Sequence, residues 1–241
     1  MIKRIWFVTK APGAAQDRFA AACRRAAEGS AGAPPDVRPL RVTLSSSRPD
    51  VTPHPRHDAL GMEWFADKAH FERFSDWLGI DGDRWLGDTF DAAASPTIVA
   101  EELIGRGDDW LEARWGGGGP KLKHIAVARR AVGLSPAQFS DLWRSRAGTF
   151  TSQSGGPAVT IPDHARGLAY VQNHPLARRD GEWAYDAVNE VWFDDLDGLR
   201  RRIEWFADQM QAGSEDLVGD SWFIAACEEP VSVAAQDRTP R

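Results

Sequence analysis

The sequence predicts an α+β protein of two similar halves, and three observations indicate this: an internal repeat, a matching order of strands and helices, and a glycine-rich joint. Segments 56–78 and 184–206 align without gaps, with seven identities in 23 positions. Two of the identities are Trp pairs, and Trp is a rare residue in most proteins. The identical pairs are Asp58/Asp186, Ala59/Ala187, Trp64/Trp192, Phe65/Phe193, Asp67/Asp195, Arg73/Arg201 and Trp77/Trp205.

The agreement continues on both sides of these segments and in the same order. KRIWFVTK matches KHIAVARR, and RFAAACRRAA matches QFSDLWRSRA, both at an offset of 120 residues. RPLRVTLSS matches RGLAYVQNH at an offset of 128, and TIVAEEL matches IAACEEP near the ends of the two halves. Because an internal repeat fixes the architecture of a chain, we divide the sequence into a first unit at 1–105, a linker at 106–121 and a second unit at 122–241.

The second unit begins with a strand and a helix. KLKHIAVARR, at 121–130, is rich in small and β-branched residues and predicts the first strand. A helix follows with a capping-box signature, in which Ser135 is the N-cap, Pro136 is N1 and Gln138 is N3. The same two elements are expected near the start of the first unit.

Two strands, a second helix and a last strand complete the unit. HARGLAYVQNH at 164–174 and YDAVNEVWF at 185–193 predict the strands, which are joined by a polar turn. Apolar residues recur every three or four positions over 194–210 and predict the helix. SWFIAACEE at 221–229 predicts the last strand. The order β-α-β-β-α-β is that of the ferredoxin-like split βαβ fold.

One such unit places both helices on one face of a four-stranded sheet and leaves the other face bare. Two units on one chain can cover these faces with each other, which buries apolar surface worth about 25 cal/mol per Å². The linker contains four consecutive glycines, which suit a flexible joint, and Trp110 and Trp115 indicate that the joint is partly docked. We therefore expect an intrachain α+β barrel that encloses one ligand-sized hollow between its sheets.

Composition and charge narrow the function classes. The chain of 241 residues has a net charge of −6 and no basic run among its aromatic residues, so nucleic acid is an unfavourable partner. No apolar run reaches the length of a membrane span, and the N-terminus lacks a signal-peptide core. Cys23 and Cys227 have neither metal nor redox spacing. We expect a soluble, cytoplasmic protein with no metal and no cofactor, and a homodimer remains open.

Several segments of the second unit resemble the EthD-domain family of the dimeric α+β barrel superfamily. They are LSPAQFSDLWRSRAG, AYVQNH, YDAVNEVWFDDLDGL and the closing CEE, whereas the first unit resembles the family more loosely, at GMEWFADKAHFERF and IVAEEL. The resemblance implies cofactor-free proton transfer on an aromatic or polyketide-like substrate, such as isomerisation, cyclisation, dehydration or decarboxylation. It does not fix one reaction, because the fold hosts many, haem-dependent ones among them.

The first helix of the second unit departs from the family pattern, in which Trp is often followed four residues later by His. Here Trp143 is followed at that position by Ala147, and the first unit has Cys23 and Ala27. A mechanism that uses this His is lost. Two classes therefore stay open: a cofactor-independent lyase or isomerase whose chemistry uses other residues, and a non-catalytic ligand-binding or accessory protein with a barrel pocket.

Two histidines are candidate acids or bases, because an unperturbed His titrates near neutral pH. His174 ends the segment AYVQNH, where it is either catalytic or a strand-end residue bonded to a turn. His124 shares one face of its strand with Ala126 and Ala128, which would leave room for a ligand. Alternatively, His124 is an exposed residue at the start of the strand.

Glu190 lies in the middle of a predicted strand, where a carboxylate is costly unless it is paired. It is an acid or base with a raised pKa, a carboxylate that orients a His, or one half of an ion pair with a helix arginine such as Arg144 or Arg201. Its repeat equivalent is Met62, so the two units differ in polarity and predict one competent cavity. We interpret Glu101–Glu102 and Glu228–Glu229 as solvated charges or caps at strand ends.

The substrate-binding candidates are aromatic and amide side chains on predicted strands. Strand alternation places Tyr170 on one face with Gln172 and His174. The tryptophans could instead belong to the core, and His57 and Tyr185, which are repeat equivalents, suggest a structural role at a strand end. The candidates are Tyr170, Asn173, Trp192, Trp6 and Trp64.

Overall fold

A computed structural model of the chain describes residues 1–81, 87–117, 120–145, 149–150, 159–178, 180–211 and 217–233. Its first unit consists of β1 (Ile2–Val8), α1 (Gln16–Ala31), β2 (Arg41–Ser47), β3 (Ala59–Phe65), α2 (Lys68–Asp81), a 3₁₀ turn (Gly87–Thr89) and β4 (Thr97–Arg106). Helix α3 (Asp108–Gly117) leads to the second unit. That unit consists of β5 (Lys121–Arg130), α4 (Pro136–Ser145), β6 (Thr149–Phe150), β7 (Val159–Thr160), α5 (Asp163–Arg166), β8 (Ala169–Pro175), β9 (Ala187–Phe193), α6 (Leu196–Gln211) and β10 (Val218–Val233).

The eight long strands close into one antiparallel barrel in the order β1-β3-β2-β10-β5-β9-β8-β4. Within each unit the strands follow the same order, β4-β1-β3-β2 in the first and β10-β5-β9-β8 in the second. The units join at both edges, where β2 pairs with β10 and β4 pairs with β8. The predicted intrachain α+β barrel of two ferredoxin-like units is therefore confirmed.

The predicted start of α4 is confirmed in detail. The backbone N–H of Ser135 donates to Gln138 Oε1 at 2.9 Å, and the backbone N–H of Gln138 donates to Ser135 Oγ at 3.2 Å. The start of β8 is different, because residues 164–166, which we expected in a strand, belong to α5. This short helix ends at Gly167, whose φ of +70° turns the chain into β8.

The linker contains a helix, α3, that packs against one end of the barrel. Leu111 lies in a buried cluster with Ala169, Val171 and Trp192 of the second unit, and the ring of Trp115 lies 5.4 Å from that of Trp64. The docking agrees with the expectation from the linker tryptophans. Residues 118–119 of the glycine run lie outside the described residues.

The barrel interior is filled by side chains. Ile5, Met62, Ile125 and Val188 are among the interior residues that have no accessible surface, so no water-sized space lies beside them. A barrel of eight strands is just wide enough for its side chains to fill the interior. The expectation of a ligand-sized hollow between the two sheets is therefore wrong for the described residues. A functional site is instead expected on the helix-facing side of the sheets.

Candidate functional site

Charged side chains form one layer of the barrel interior. Lys3 and Lys123, which are repeat equivalents, both donate to Glu190, with Nζ–Oε1 and Nζ–Oε2 distances of 2.6 Å and 2.5 Å. Lys3 also lies 2.7 Å from Glu102, and Lys123 donates to Glu228. All four of these pairings are buried, so this layer ties the two units together through ion pairs.

The two interior glutamates near the strand ends are not solvated, contrary to our expectation for Glu102 and Glu228. Trp64 Nε1 donates to Glu102 at 3.0 Å, and Trp192 Nε1 donates to Glu228 at 3.1 Å. The contacts make Glu102 and Glu228 equivalent, whereas the sequence alignment paired Glu228 with Glu101. Strand alternation explains the difference, because a slip of one residue moves a side chain to the opposite face.

Glu190 is ionised and belongs to this layer. The raised pKa that we considered for Glu190 is wrong: burial alone would raise it, but the positive charges of Lys123 and Lys3 outweigh that effect and lower the pKa to about 2. Asn173 Nδ2 also donates to Glu190, at 2.8 Å. The expected contact of Glu190 with a His is not formed, and its ion-pair partners are strand lysines instead of the helix arginine that we considered. Glu190 therefore lies on the wrong sheet face to orient His174.

Three other candidates lie in the barrel interior, and a fourth lies in a separate core. Trp64 and Trp192 are only 1% exposed, and Asn173 is fully buried. Trp6 lies on the helix-facing side of the first sheet, where its ring covers Gly61 so closely that a Cβ there would lie 1.8 Å from Trp6 Cε2. Because none of the four has surface that a substrate could reach, we leave them out of the candidate site.

The helix-facing side of the second sheet carries a chain of hydrogen bonds, which we call the polar row: Ser140, His174, Gln172 and Tyr170. His174 Nδ1 lies 2.9 Å from Ser140 Oγ on α4, and His174 Nε2 lies 3.2 Å from Gln172 Oε1. Gln172 Nε2 donates to Tyr170 Oη at 2.9 Å. The predicted face shared by Tyr170, Gln172 and His174 is confirmed, and Ser140 is a member that the sequence did not point to.

The hydrogen bonds fix the tautomer of His174. Gln172 Nε2 donates to the backbone carbonyl of Trp143 at 3.2 Å, and a carbonyl can only accept, so Gln172 Oε1 must face His174. His174 Nε2 therefore carries the proton and donates to that oxygen. His174 Nδ1 is left as an acceptor, and the hydroxyl of Ser140 donates to it.

The environment of His174 favours the neutral imidazole. Burial lowers the pKa of His174 below its ordinary value of 6.5, the positive charge of Arg144 lowers it further, and Glu101 and Asp141 oppose the change only in part. The side chain is 4% exposed, whereas Ser140 is half-buried. A neutral acceptor nitrogen behind a reachable hydroxyl can take up a proton at neutral pH.

His124 lies on the same sheet face at the opposite end of the polar row. In the cross-strand register His124 is opposite Val191, and Val191 is opposite Tyr170. Arg202 of α6 donates through Nε to His124 Nδ1 at 3.1 Å, so His124 carries its proton on Nε2. Burial, followed by the charge of Arg202, lowers the pKa of His124 well below 6.5. His124 is thus a buried neutral residue, not an exposed one, and it does not contact His174.

Two of the residues that sequence reasoning missed have a signal that could have found them. Lys3 and Lys123 occupy the interior phase of equivalent strands, and a charge retained there in both units predicts a buried partner. Ser140 and Arg202 have no such signal, because their repeat equivalents are Ala20 and Phe74. Ala147, the position of the family histidine, lies outside the described residues.

Neither a metal-binding cluster nor a membrane-spanning helix occurs in the described part of the chain. It contains no cluster of three or more His, Cys, Asp or Glu side chains that could hold a metal ion. None of its helices combines the length and apolar character needed to cross a membrane.

Comparisons with known proteins identify the fold. No protein-family model and no curated protein matches the sequence. The crystal structure of an anthrone oxidase-like protein aligns with a TM-score of 0.50 and 11% identity over 97% of this chain and 95% of that one. A suspected monooxygenase from Lactobacillus acidophilus NCFM gives a TM-score of 0.44 and 11% identity over 98% and 96% of the two chains. A mutant chlorite dismutase from Candidatus Nitrospira defluvii gives 0.40 and 9% over 93% and 90%.

At 11% identity, the first of these likenesses shows a shared fold and nothing about activity. The strand order and the repeat agree with it, because each unit contributes four strands to one closed barrel. The chain therefore has the fold of the dimeric α+β barrel proteins, with both halves of the barrel on a single polypeptide.

Proposed function

We propose that the protein is a small-molecule enzyme that transfers protons without a cofactor, and that the polar row of the second unit is its active site. The observation that carries the proposal is the hydrogen bond from Ser140 to the acceptor nitrogen of His174, at 2.9 Å, with the tautomer fixed by Gln172. A hydroxyl paired with an oriented base is an arrangement that can accept or deliver a proton.

The proposed proton transfer needs no reactant other than the substrate. Ser140 Oγ takes a proton from an acidic C–H beside a substrate carbonyl while its own hydroxyl proton passes to His174 Nδ1. The substrate becomes an enolate and His174 becomes an imidazolium. Return of the proton to another carbon completes an isomerisation. In a lyase reaction the enolate expels a leaving group with its bonding electron pair, and the leaving group takes up the proton through Ser140, which returns His174 to the neutral imidazole. Gln172 Oε1 accepts from His174 Nε2 throughout and holds the ring in place.

The substrate class in this proposal is aromatic or polyketide-like. The resemblance of the second unit to the EthD-domain family supports it, and we propose that the chain is a duplicated relative of that family. The name of the structure with a TM-score of 0.50 refers to an anthrone, an aromatic ketone with acidic hydrogens on carbon. A net charge of −6 also favours a small molecule over nucleic acid as the partner.

Hydrogen exchange on carbon tests the proposal whatever the net reaction is. Wild-type protein would be incubated in D₂O under nitrogen with anthrone and with a panel of aromatic ketones and lactones, and exchange of the acidic C–H would be followed by NMR. We expect catalysed exchange of at least one compound, and His174→Asn should slow it by about 10²–10⁴-fold because the oriented base is lost.

The matched control is His164→Asn, which changes an exposed histidine on α5. Its exchange rate should equal that of the wild type. Exchange at the buffer rate with the whole panel, or an unchanged rate in His174→Asn, would remove the proposed function.

A second candidate function is ligand binding without turnover. One observation favours it: both ring nitrogens of His174 have protein partners, so the base can reach a substrate only through Ser140. Saturable binding of a panel compound by wild-type protein, together with exchange at the buffer rate, would support this candidate over the enzyme.

A further inference from the structure

Arg202 is a buried cation without a carboxylate partner among the described residues. Its side chain donates to His124 Nδ1 and, at 2.7 Å, to the backbone oxygen of Ala165, and its guanidinium lies 4.6 Å from the ring centre of Phe206. The residue is 4% exposed. Burial lowers its pKa to about 9, which Tyr170 opposes and Arg106 reinforces. A guanidinium desolvated in this way lacks the charge that would offset the cost.

The other buried lysines and arginines of the described chain do have such partners. Lys3 pairs with Glu102 and Glu190, and Lys123 pairs with Glu190 and Glu228. The guanidinium of Arg114 lies 2.8 Å from Glu228. Arg202 is therefore the exception within the described residues, and the exception lies at one end of the polar row.

The first unit shows what is missing. There Glu63 is fully buried on the helix-facing side of β3 and accepts from Arg4 at 2.7 Å and from Ser30 at 2.6 Å. The repeat equivalent of Glu63 is Val191, which lies between His124 and Tyr170 in the cross-strand register. On this side of the sheet the second unit therefore has the cation Arg202, but it has the apolar Val191 where the first unit has the acid Glu63.

Hydrogen-bond donors without acceptors surround this position. His124 Nε2 carries a proton, is buried and has no acceptor in the described structure. Tyr170 Oη receives the hydrogen bond from Gln172, so its own proton is free to donate. Tyr170 and Arg106 are half-buried, which gives this end of the row access to solvent. The N–H of His124, the O–H of Tyr170 and a guanidinium without a carboxylate partner together form a site that can bind a carboxylate oxygen.

We propose that Arg202 and the hydroxyl of Tyr170 bind a carboxylate of the ligand, at the end of the polar row opposite His174. Tyr170 and His174 are four positions apart along β8, which places their Cα atoms about 13 Å apart. A fused-ring aromatic carboxylate spans a distance of this order, so its acidic carbon can lie beside Ser140 while its carboxylate pairs with Arg202. The choice of a fused-ring ligand rests on the proposed function, whereas the anion site does not.

The test is a pair of probes that differ in charge alone, anthraquinone carboxylate and the matching carboxamide, with affinities measured by calorimetry. Wild-type protein should bind the carboxylate at least about ten-fold more tightly, since a tenfold preference corresponds to about 1.4 kcal/mol. Arg202→Gln should abolish the preference and leave carboxamide binding unchanged. Arg201→Gln, an exposed arginine on the same helix, is the control and should behave as wild type.

A second variant does not depend on the folding of Arg202→Gln. Val191→Glu places in the second unit the acid that the first unit has at Glu63, and it should pair internally with Arg202. We expect a higher Tm and loss of carboxylate binding. Equal binding of the two probes by wild-type protein, or an undiminished preference in either variant, would overturn the inference.

The outcomes separate this inference from the proposed function. His174→Asn should keep the carboxylate preference, because His174 lies at the other end of the row. A wild-type preference for the carboxylate, combined with no catalysed hydrogen exchange, would leave the anion site standing and remove only the proton-transfer activity.

Discussion

The two units place different chemistry in equivalent positions between sheet and helices. In the first unit Val42 and Leu44 lie in an apolar cluster with Phe19 of α1. Their repeat equivalents in the second unit are Tyr170 and Gln172, which are hydrogen-bonded to each other. One copy thus supplies an ordinary core and the other a row of polar groups, although both build the same four strands.

The large rings of the two units also come from different elements. In the first unit Trp6 projects from β1 and covers Gly61, and helix α1 has Cys23 at the position equivalent to Trp143. In the second unit the strand position of Trp6 is Ala126, and the ring comes from Trp143 of α4, whose Nε1 donates to Asn189 at 3.1 Å. The exchange places a hydrogen-bonding ring on the helix of the second unit, at the residue whose backbone carbonyl accepts from Gln172. Duplication lets one copy keep the fold while the other varies.

The largest effect is expected in the interior that the units share. Glu190→Met copies its repeat equivalent Met62 and leaves Lys3 and Lys123 with one carboxylate fewer. We expect a loss of about 3–5 kcal/mol in the free energy of unfolding, as for other broken buried ion pairs. Urea unfolding at pH 7 measures this loss. A loss below 1 kcal/mol would show that the charged layer rearranges when the carboxylate of Glu190 is removed.

The same residue predicts how the protein responds to acid. The pKa of Glu190 is about 2 in the folded state, below its ordinary value of 4.5, so its contribution is present above pH 4.5 and is lost as the pH falls towards 2. Wild-type protein should therefore lose more stability than Glu190→Met over this range.

The next effect tests the core of the first unit. Trp6→Ala should cost about 3–5 kcal/mol, because Trp6 is 5% exposed and its removal leaves a cavity over Gly61. Activity per folded molecule should not change, since the polar row lies in the other unit. Trp6→Phe is the matched control and should lose less stability. A drop in activity per folded molecule would mean that the first unit also contributes to activity.

A smaller effect is expected when the second unit is made to resemble the first. Gln172→Leu introduces the residue found at Leu44 and removes the acceptor that fixes the tautomer of His174. We expect the hydrogen-exchange rate to fall by about 10–100-fold, or about 1.4–2.7 kcal/mol in activation free energy. Full activity in Gln172→Leu would show that the orientation of His174 does not matter.

The smallest expected effect is a shift in the pH dependence of activity. Because burial lowers the pKa of His174 below 6.5, the neutral base persists at pH values where an ordinary histidine is already protonated. The acid limb of kcat/KM should therefore lie below pH 6.5 and should disappear in His174→Asn. A limb at or above 6.5 would assign the titration to another group.

The sequence predicted the barrel and the capping box of α4 because these depend on local patterns and on the repeat. It also predicted that Tyr170, Gln172 and His174 share a face, since side chains alternate along a strand. It could not predict that Ser140 lies against His174, because 34 positions separate them and their contact depends on how α4 packs on β8. The interior partners of Glu190 were missed for the same reason, as Lys3 is 187 positions away.

The sequence by itself determined that two ferredoxin-like units follow one another, because the periodicity and the repeated tryptophans are properties of the chain. Only the tertiary structure decided where polar chemistry is found. The side chains inside the closed barrel fill the space beside the described interior residues, and the charges there are paired, since an unpaired charge in a packed barrel is too costly. The hydrogen-bonded polar row and Arg202, which has no carboxylate partner among the described residues, lie on the helix-facing side of the second unit, where strand alternation and helix packing bring them together.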